Sequence, residues 1–213
     1  MPLPPLHFDG PGGADRTFAF AHGAGVGMNS EFMDHFAEDL GARGFRVARF
    51  EFPYMRKMRA DGTRRPPDRA DVLLDTWMEV VNHFGPENLY IGGKSMGGRV
   101  ASHAADQAEG SGDPVAGLIC LGFPFHGPGK PEAARFRSVD TLLTRTLILQ
   151  GTRDPFGTLD EVPGYPLSDA CEVVWLEDGD HSFEPRKKSG RTTKQNWAEA
   201  VDAMADFMDA PNQ

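Results

Sequence analysis

The stretch from Leu89 to Ala101 constrains the fold of this chain more than any other part of its sequence. It runs from a short apolar segment, through a serine flanked by glycines, into an alanine-rich segment with helical spacing. In the pattern Gly93-x-Ser95-x-Gly97, the turn is so sharp that a Cβ atom two residues to either side of the serine would collide with neighbouring backbone. A strand, this turn and a helix, in that order, lift the serine hydroxyl above the carboxyl edge of a parallel sheet. We therefore predict a nucleophile elbow with Ser95 at its tip.

A phosphate-binding loop is the main alternative for this stretch, because the run Gly93-Lys94-Ser95 resembles the end of such a loop. That loop also needs a glycine five residues before Gly93, and Asn88 stands at that position. An apolar strand follows Asn88, so the alternative fails.

The composition favours one folded domain, 1–213. The chain has 213 residues, 39% of them hydrophobic, and a chain of this length buries about 70% of the surface that its unfolded form exposes. A net charge of −9 argues against general nucleic-acid binding, and no segment approaches a membrane span. The first sixteen residues lack the features of a secretory signal, and we expect them to form an irregular tail. The two cysteines, Cys120 and Cys171, fall in predicted core strands, so we expect free thiols and a cytoplasmic location.

Segments of strand character alternate with segments of helical periodicity from residue 17 to residue 207. This alternation predicts an α/β fold with a mostly parallel sheet and helices on both faces. The predicted strands are 17–21, 46–52, 89–91, 115–123, 146–150 and 172–176. About twenty residues join the strands 115–123 and 146–150, which is too few for a separate cap domain.

The segment 53–67 is basic, contains prolines and shows no periodicity. It is therefore expected to be a loop of unusual length, and such loops are often functional. We expect Asp68 to cap the helix that follows it.

A serine hydroxyl is a poor nucleophile unless a base removes its proton, and the base needs a third group that holds its orientation. Both groups must lie on loops at the same sheet edge as Ser95. The run 151–154, which ends at Asp154, directly follows the predicted strand 146–150, and the loop with His181 follows 172–176. The order Ser95, Asp154, His181 is the one that this architecture requires. We therefore predict Ser95 as nucleophile, His181 as general base and acid, and Asp154 as the group that orients His181.

Other residues compete for these supporting roles. His126 lies in a rim loop, where it is a rival for the base and a candidate for substrate binding. His22 precedes a glycine-rich loop and is expected to be structural. Asp178 and Asp180 lie on the same turn as His181, where we expect them to shape the loop.

The negative charge that develops on a substrate carbonyl oxygen needs preorganised N–H donors. One predicted donor is the backbone N–H of Met96, the residue after the nucleophile. The other is expected from the loop after the strand 17–21, where Ala24 is the first choice and Gly25 the alternative.

Three sequence blocks resemble those of one subgroup of small α/β-hydrolases, the bacterial hydrolases similar to the testis-expressed hydrolase-like proteins. They are 93–98 (Gly-Lys-Ser-Met-Gly-Gly), 151–157 (Gly-Thr-Arg-Asp-Pro-Phe-Gly) and 180–183 (Asp-His-Ser-Phe). The segment 49–55 (Arg-Phe-Glu-Phe-Pro-Tyr-Met) resembles a further block of the same subgroup, and dienelactone hydrolases are more distantly similar. The resemblance implies the α/β-hydrolase fold and the triad named above, with serine where dienelactone hydrolases use cysteine. It implies no particular substrate.

Together these features predict a serine hydrolase that cleaves a small carboxylic ester or thioester through an acyl-enzyme intermediate, without cofactor or metal. The expected partner is a small acyl substrate. We expect the protein to bind neither nucleic acid nor a membrane. The alternative is an interaction module of the same fold with a vestigial triad.

Half of the 22 basic residues lie in two stretches, 56–69 and 186–194. Both stretches follow predicted strands at the edge where Ser95 lies. A positive rim there would attract an anionic substrate, and Arg64 and Arg65 are the candidates for binding it. The alternative is that both stretches are solvated loops with no role in binding.

Overall fold

A seven-stranded sheet forms the centre of the fold in a computed structural model, which describes residues 1–130 and 138–211. The strands are β1 (Leu6–Asp9), β2 (Thr17–Ala21), β3 (Arg46–Phe50), β4 (Leu89–Lys94), β5 (Gly117–Leu121), β6 (Thr146–Gly151) and β7 (Cys171–Leu176). Their order across the sheet is β1-β3-β2-β4-β5-β6-β7. Every pair of neighbours is parallel except β1 and β3, which are antiparallel. The predicted α/β fold with a mostly parallel sheet is thus confirmed.

In the described part of the chain, five α-helices pack around this sheet. They are α1 (Glu31–Ala42), α2 (Pro53–Asp61), α3 (Ala70–Phe84), α4 (Met96–Gly110) and α5 (Thr193–Asp209). Side chains alternate between the faces along each strand. On β2, Phe18 and Phe20 pack with α1 and α5, whereas Ala19 and Ala21 pack with α3 and α4. Because both faces are covered, the central strands are buried throughout and contain long apolar runs.

The N-terminal segment is not the irregular tail that we expected. Residues Leu6–Asp9 form β1, which pairs with β3 at the edge of the sheet. Its side chains are exposed or only partly buried. A strand with so little buried surface has a weak hydrophobic pattern, which explains why the sequence did not reveal it.

The segment 53–67 is not the continuous loop that we expected either. Pro53 begins the helix α2 at a position where its missing N–H breaks no helical hydrogen bond. Only Tyr54 and Met55 of α2 are buried, so the apolar face is too short to give a clear periodicity. Asp68 does not cap α3, whose N-cap residue is Arg69. Its Oδ2 instead accepts a hydrogen bond of 2.7 Å from the backbone N–H of Tyr54, in the first turn of α2.

The connection from β5 to β6, residues 122–145, is the one in which we expected no cap domain. Residues 131–137 of it, and so part of the predicted loop 124–137, lie outside the described residues. In the rest of this connection, no helix or strand of more than two residues is formed. Among the helices that the structure describes, none combines the length and the hydrophobicity needed to cross a membrane.

Candidate active site

Ser95 lies between β4 and α4 in a strained backbone conformation, with φ 53° and ψ −117°. The two glycines of its motif are required because β2 passes close to the turn. A Cβ atom on Gly93 would lie 2.5 Å from Ala21 O, and one on Gly97 would lie 2.6 Å from the same oxygen and from His22 O. The hydrogen bond from Ser95 N to Leu121 O, 2.9 Å long, ties the turn to β5 as well.

The three side chains predicted for the triad lie within hydrogen-bonding distance of one another. His181 Nε2 is 2.9 Å from Ser95 Oγ, and His181 Nδ1 is 2.7 Å from Asp154 Oδ2. Asp154 is fully buried, whereas Ser95 and His181 are only partly buried. The arrangement leaves the serine hydroxyl open to a ligand and keeps the carboxylate away from water.

Gln150 orients the buried carboxylate, and the sequence analysis did not identify it. Its Nε2 donates to Asp154 Oδ2 at 3.0 Å and to Gly157 O at 3.1 Å, and its Oε1 accepts from Phe123 N at 2.8 Å. Asp154 Oδ1 accepts a further hydrogen bond of 2.9 Å from Phe156 N. A buried carboxylate needs such partners for both oxygens. The signal that could have revealed Gln150 is its polarity at the end of an otherwise apolar strand.

The loop that carries His181 is shaped by its own aspartates. Asp180 Oδ1 accepts from the backbone N–H groups of Ser182, at 2.8 Å, and Glu184, at 3.0 Å. Asp178 pairs with the side chains of Arg153 and Arg186, which hold the pKa of its carboxyl down at about 2. Neither aspartate has a hydrogen bond to His181 among those of the described residues.

Lys94, the residue before Ser95, also contacts a residue of the predicted triad, and the sequence analysis gave it no role. Its ammonium group donates to the backbone carbonyl of His181 and lies 5.2 Å from the ring centre of Phe32 and 5.7 Å from that of Phe183. Burial lowers the pKa of Lys94 to about 8. One partly buried side chain thus links the strand that carries Ser95 to the loop that carries His181.

A cavity of about 300 Å³ lies beside Ser95. Its lining includes Gly23, Ala24, Val26, Phe32, Ser95 and His181. Of the two predicted oxyanion donors, Ala24 is among the residues that line this cavity. Ala24 is exposed in the cavity, and Met96 is the first residue of α4, where N–H groups lack an acceptor within the helix. We call residues 22–28 the oxyanion loop, after the oxyanion donor that the sequence predicts in it.

The structure does not bring His126, Arg64 or Arg65 to this cavity. The ring of His126 is buried, with Nδ1 2.8 Å from Gly127 O and Nε2 3.5 Å from a Glu161 carboxylate oxygen. Arg65 donates to Asp61 at 2.5 and 2.7 Å, and Arg64 is exposed. The predicted substrate contacts of these three side chains therefore have no support in their positions.

Carboxylates neutralise much of the two basic stretches. The pairs are Arg59 with Glu51, Arg65 with Asp61, Arg69 with Asp71, Arg186 with Asp178, and Arg191 with Glu177 and Glu199. The positive field expected at the rim of the site is weaker for this reason. Across the described ranges, no group of three or more His, Cys, Asp or Glu side chains could hold a metal ion.

A family model described as an alpha/beta hydrolase domain matches residues 14–209. The chain belongs to the α/β-hydrolase family. Solved structures of other α/β-hydrolases are similar over almost the whole chain. An α/β serine hydrolase without lid from Xanthomonas campestris has a TM-score of 0.68 at 18% identity, covering 97% of this chain and 90% of that one.

Two further structures illustrate how many activities this fold serves. A dienelactone hydrolase from Anabaena variabilis has a TM-score of 0.66 at 19% identity, with 94% of this chain and 90% of that chain covered. A monoacylglycerol lipase from Paleococcus ferrophilus has a TM-score of 0.70 at 14% identity, with coverage of 97% and 100%. At these identities the likeness concerns the fold, so the substrate of this α/β-hydrolase has to be argued from its site.

Proposed function

We propose that this α/β-hydrolase cleaves a small carboxylic ester or thioester through an acyl-enzyme intermediate on Ser95. The observation that carries the proposal is the continuous hydrogen-bonded chain from Ser95 Oγ through His181 to Asp154, with lengths of 2.9 and 2.7 Å. A chain of this kind removes the serine proton as the nucleophile attacks.

In the proposed reaction, Ser95 Oγ attacks the acyl carbon and its proton passes to His181 Nε2. The Asp154 carboxylate stabilises the imidazolium that forms and holds its orientation. His181 then protonates the leaving alcohol or thiol as the bond to the acyl carbon breaks. Water, deprotonated by His181, hydrolyses the acyl-enzyme and releases the acid. The N–H groups of Met96 and Ala24 stabilise the oxyanion in both halves of the reaction.

The cavity supports a small substrate. Its volume of about 300 Å³ lies at the lower end of the range for ligand pockets. Val26, Phe32 and Met33 give it an apolar wall, which suits an acyl chain. We also propose that the chain belongs to the subgroup similar to the testis-expressed hydrolase-like proteins and acts in the cytoplasm, where its free cysteines would persist as thiols.

Labelling with a fluorophosphonate tests the nucleophile. Ser95→Ala should lose the label, while Ser102→Ala should retain it, because Ser102 is buried and bonded to Ser138. Labelling that survives in Ser95→Ala would overturn the assignment.

Turnover of a panel of short-chain esters and thioesters tests the reaction. His181→Ala should lower kcat at least about 10³-fold, and His126→Ala should leave it nearly unchanged. The interaction module with a vestigial triad predicts that the parent protein hydrolyses none of the panel.

A further inference from the structure

No step of the reaction described above uses a residue of the block 49–54. The polar side chains of this block nevertheless contact the oxyanion loop. Arg49 and Glu51 are 3% exposed and Tyr54 is 1% exposed. Buried polar groups of this kind are costly unless they are hydrogen-bonded. All three find partners in the loop 22–28 that lies over them.

The beginning of the oxyanion loop is held through its carbonyl groups. Tyr54 Oη donates to Ala24 O at 2.9 Å and lies 3.3 Å from Gly23 O. His22 Nε2 accepts from Phe52 N at 3.2 Å, so its ring proton is on Nδ1, which donates to Gly23 O at 2.7 Å. Both consecutive carbonyls, of Gly23 and Ala24, are therefore fixed by side chains.

The end of the loop is held at the peptide groups of Met28. Arg49 Nη1 donates to Met28 O at 2.9 Å, and Glu51 Oε1 lies 3.4 Å from Met28 N. Gly27 passes so close to this carboxylate that a Cβ atom would lie 2.6 Å from Oε1. Arg59 pairs with the same carboxylate from the outside. The loop is thus tied to the block at both of its ends.

The geometry of the peptide group relates the directions of these carbonyls to the directions of the N–H groups in the loop. A trans peptide is planar, and its C=O and N–H groups point in opposite directions. The carbonyl of Gly23 shares a peptide with the N–H of Ala24, and the carbonyl of Ala24 shares one with the N–H of Gly25. Because the two carbonyls point toward Tyr54, the two N–H groups point away from it. Both N–H groups belong to the loop whose residues line the cavity together with Ser95.

We propose that Tyr54 is a positioning residue for the oxyanion hole, and that the block 49–54 with His22 holds the loop whose N–H groups stabilise the oxyanion. This inference rests on the proposed function. Burial raises the pKa of Tyr54, and the nearby carboxylates of Asp68 and Glu51 add to the effect. Tyr54 hence remains a hydrogen-bond donor across the pH range of an esterase assay.

The test compares two Tyr→Phe variants of the full chain. Tyr54→Phe removes the hydroxyl that orients the loop. Tyr90→Phe is the matched control, since Tyr90 is also buried and donates to a backbone carbonyl, Met208 O, at 3.0 Å, on the other face of the sheet. Each variant is measured for kcat, KM, Tm and the Ki of a trifluoromethyl ketone, which forms a tetrahedral adduct with an activated serine.

Tyr54→Phe should lower kcat about 10-fold, less than the loss of an oxyanion donor itself, with little change in KM. The Ki of the ketone should rise by a similar factor. Tyr90→Phe should keep both values within about twofold of the parent. Equal kcat and Ki in the two variants would overturn the proposal, as would a loss confined to Tm. A parent that turns over no ester and no thioester refutes the proposed function instead.

A second pair of variants keeps the proposal testable if Tyr54→Phe folds poorly. In His22→Asn, the side-chain amide nitrogen can take the place of Nδ1 and donate to Gly23 O, whereas His22→Ala offers no donor. The asparagine should retain several-fold more kcat than the alanine at equal KM. Equal kcat in these two variants would contradict the role given to the Gly23 carbonyl.

Discussion

Ser95 and the oxyanion loop lie at the carboxyl ends of two adjacent strands, β4 and β2, but they are fixed by different kinds of contact. At the elbow, backbone approaches backbone, so that no Cβ fits on Gly93 or Gly97. At the oxyanion loop, the backbone is held by side chains from β3 and α2, above all Arg49 and Tyr54. Steric contact at the elbow excludes any side chain at one position, whereas the hydrogen bonds that hold the loop come from several groups, so the loss of one leaves the others in place. We therefore expect substitutions at the elbow to abolish the site and substitutions behind the loop to weaken it by degrees.

The largest expected effect is at the elbow. Gly97→Ala would place a Cβ 2.6 Å from two backbone carbonyl oxygens, so β2 or α4 must move. We expect a loss of about 3 kcal/mol or more in the free energy of unfolding and no measurable turnover. Gly110→Ala is the control, because Gly110 lies in the last turn of α4 with open space around it, and alanine there should be neutral or slightly stabilising. Denaturant unfolding of both variants measures the difference, and equal stability would refute steric fixation.

A smaller effect is expected behind the oxyanion loop. Arg49→Met removes a buried guanidinium from Asp9, Asp34 and Met28 O, of which the carboxylates are partly exposed. We expect it to cost about 2 kcal/mol of stability and to lower kcat more than it raises KM. The solvent-screened pair of Arg65 with Asp61 serves as comparison, and Arg65→Met should change the stability far less than Arg49→Met. If Arg49→Met and Arg65→Met lower the Tm equally, the buried contacts of Arg49 stabilise the protein no more than a surface ion pair does.

A substitution of Lys94 tests whether the contact between Ser95 and the loop that carries His181 also depends on a side chain. Its pKa is lowered to about 8 from 10.5, mainly by burial, while Asp154 and Asp180 partly oppose the shift. Between these two values the unfolded chain binds more protons than the folded protein at this residue, so its contribution to stability rises with pH and is constant below about pH 7.

The Tm of the parent minus that of Lys94→Met should consequently increase from pH 8 to pH 10. Scanning calorimetry of both proteins across this range measures the difference. A constant difference would mean that Lys94 titrates at its ordinary value and that its ammonium group is solvated.

The smallest effect is expected at the basic rim. Arg65 is already paired with Asp61, and Arg64 lies outside the cavity lining. Exchanging both for glutamate should change kcat/KM for a carboxylate-bearing ester, relative to its neutral analogue, by less than about threefold at low salt. A strong salt dependence that is confined to the anionic ester and lost in the variant would restore the positive rim as a substrate-binding feature.

The comparison also explains what the sequence could and could not predict. The glycines at 93 and 97 mark the elbow because steric constraints leave no other choice of residue, and the strands around it are identified by their apolar runs. The short strand β1 and the helix α2 were missed, since each buries too few side chains to show a period. Lys94 and Tyr54 were missed for a different reason. Their partners are backbone carbonyl groups far away in the sequence, and no local pattern marks such a contact. Gln150 was missed although its polarity at the end of an apolar strand marks it.

The antiparallel strand β1 connects the N-terminal segment to the groups that hold the oxyanion loop. Asp9 on β1 accepts from Arg49 through both oxygens, at 2.9 and 3.0 Å, and Arg49 in turn holds the carbonyl of Met28. The turn after β1 contains Gly12 and Gly13, which are exposed and surrounded by open space, and the family match begins just beyond it. A chain divided at this turn would separate the strand that carries Asp9 from the part that carries the triad. We expect the turnover of the remainder to rise when the N-terminal peptide is added back and pairs with β3 at the sheet edge.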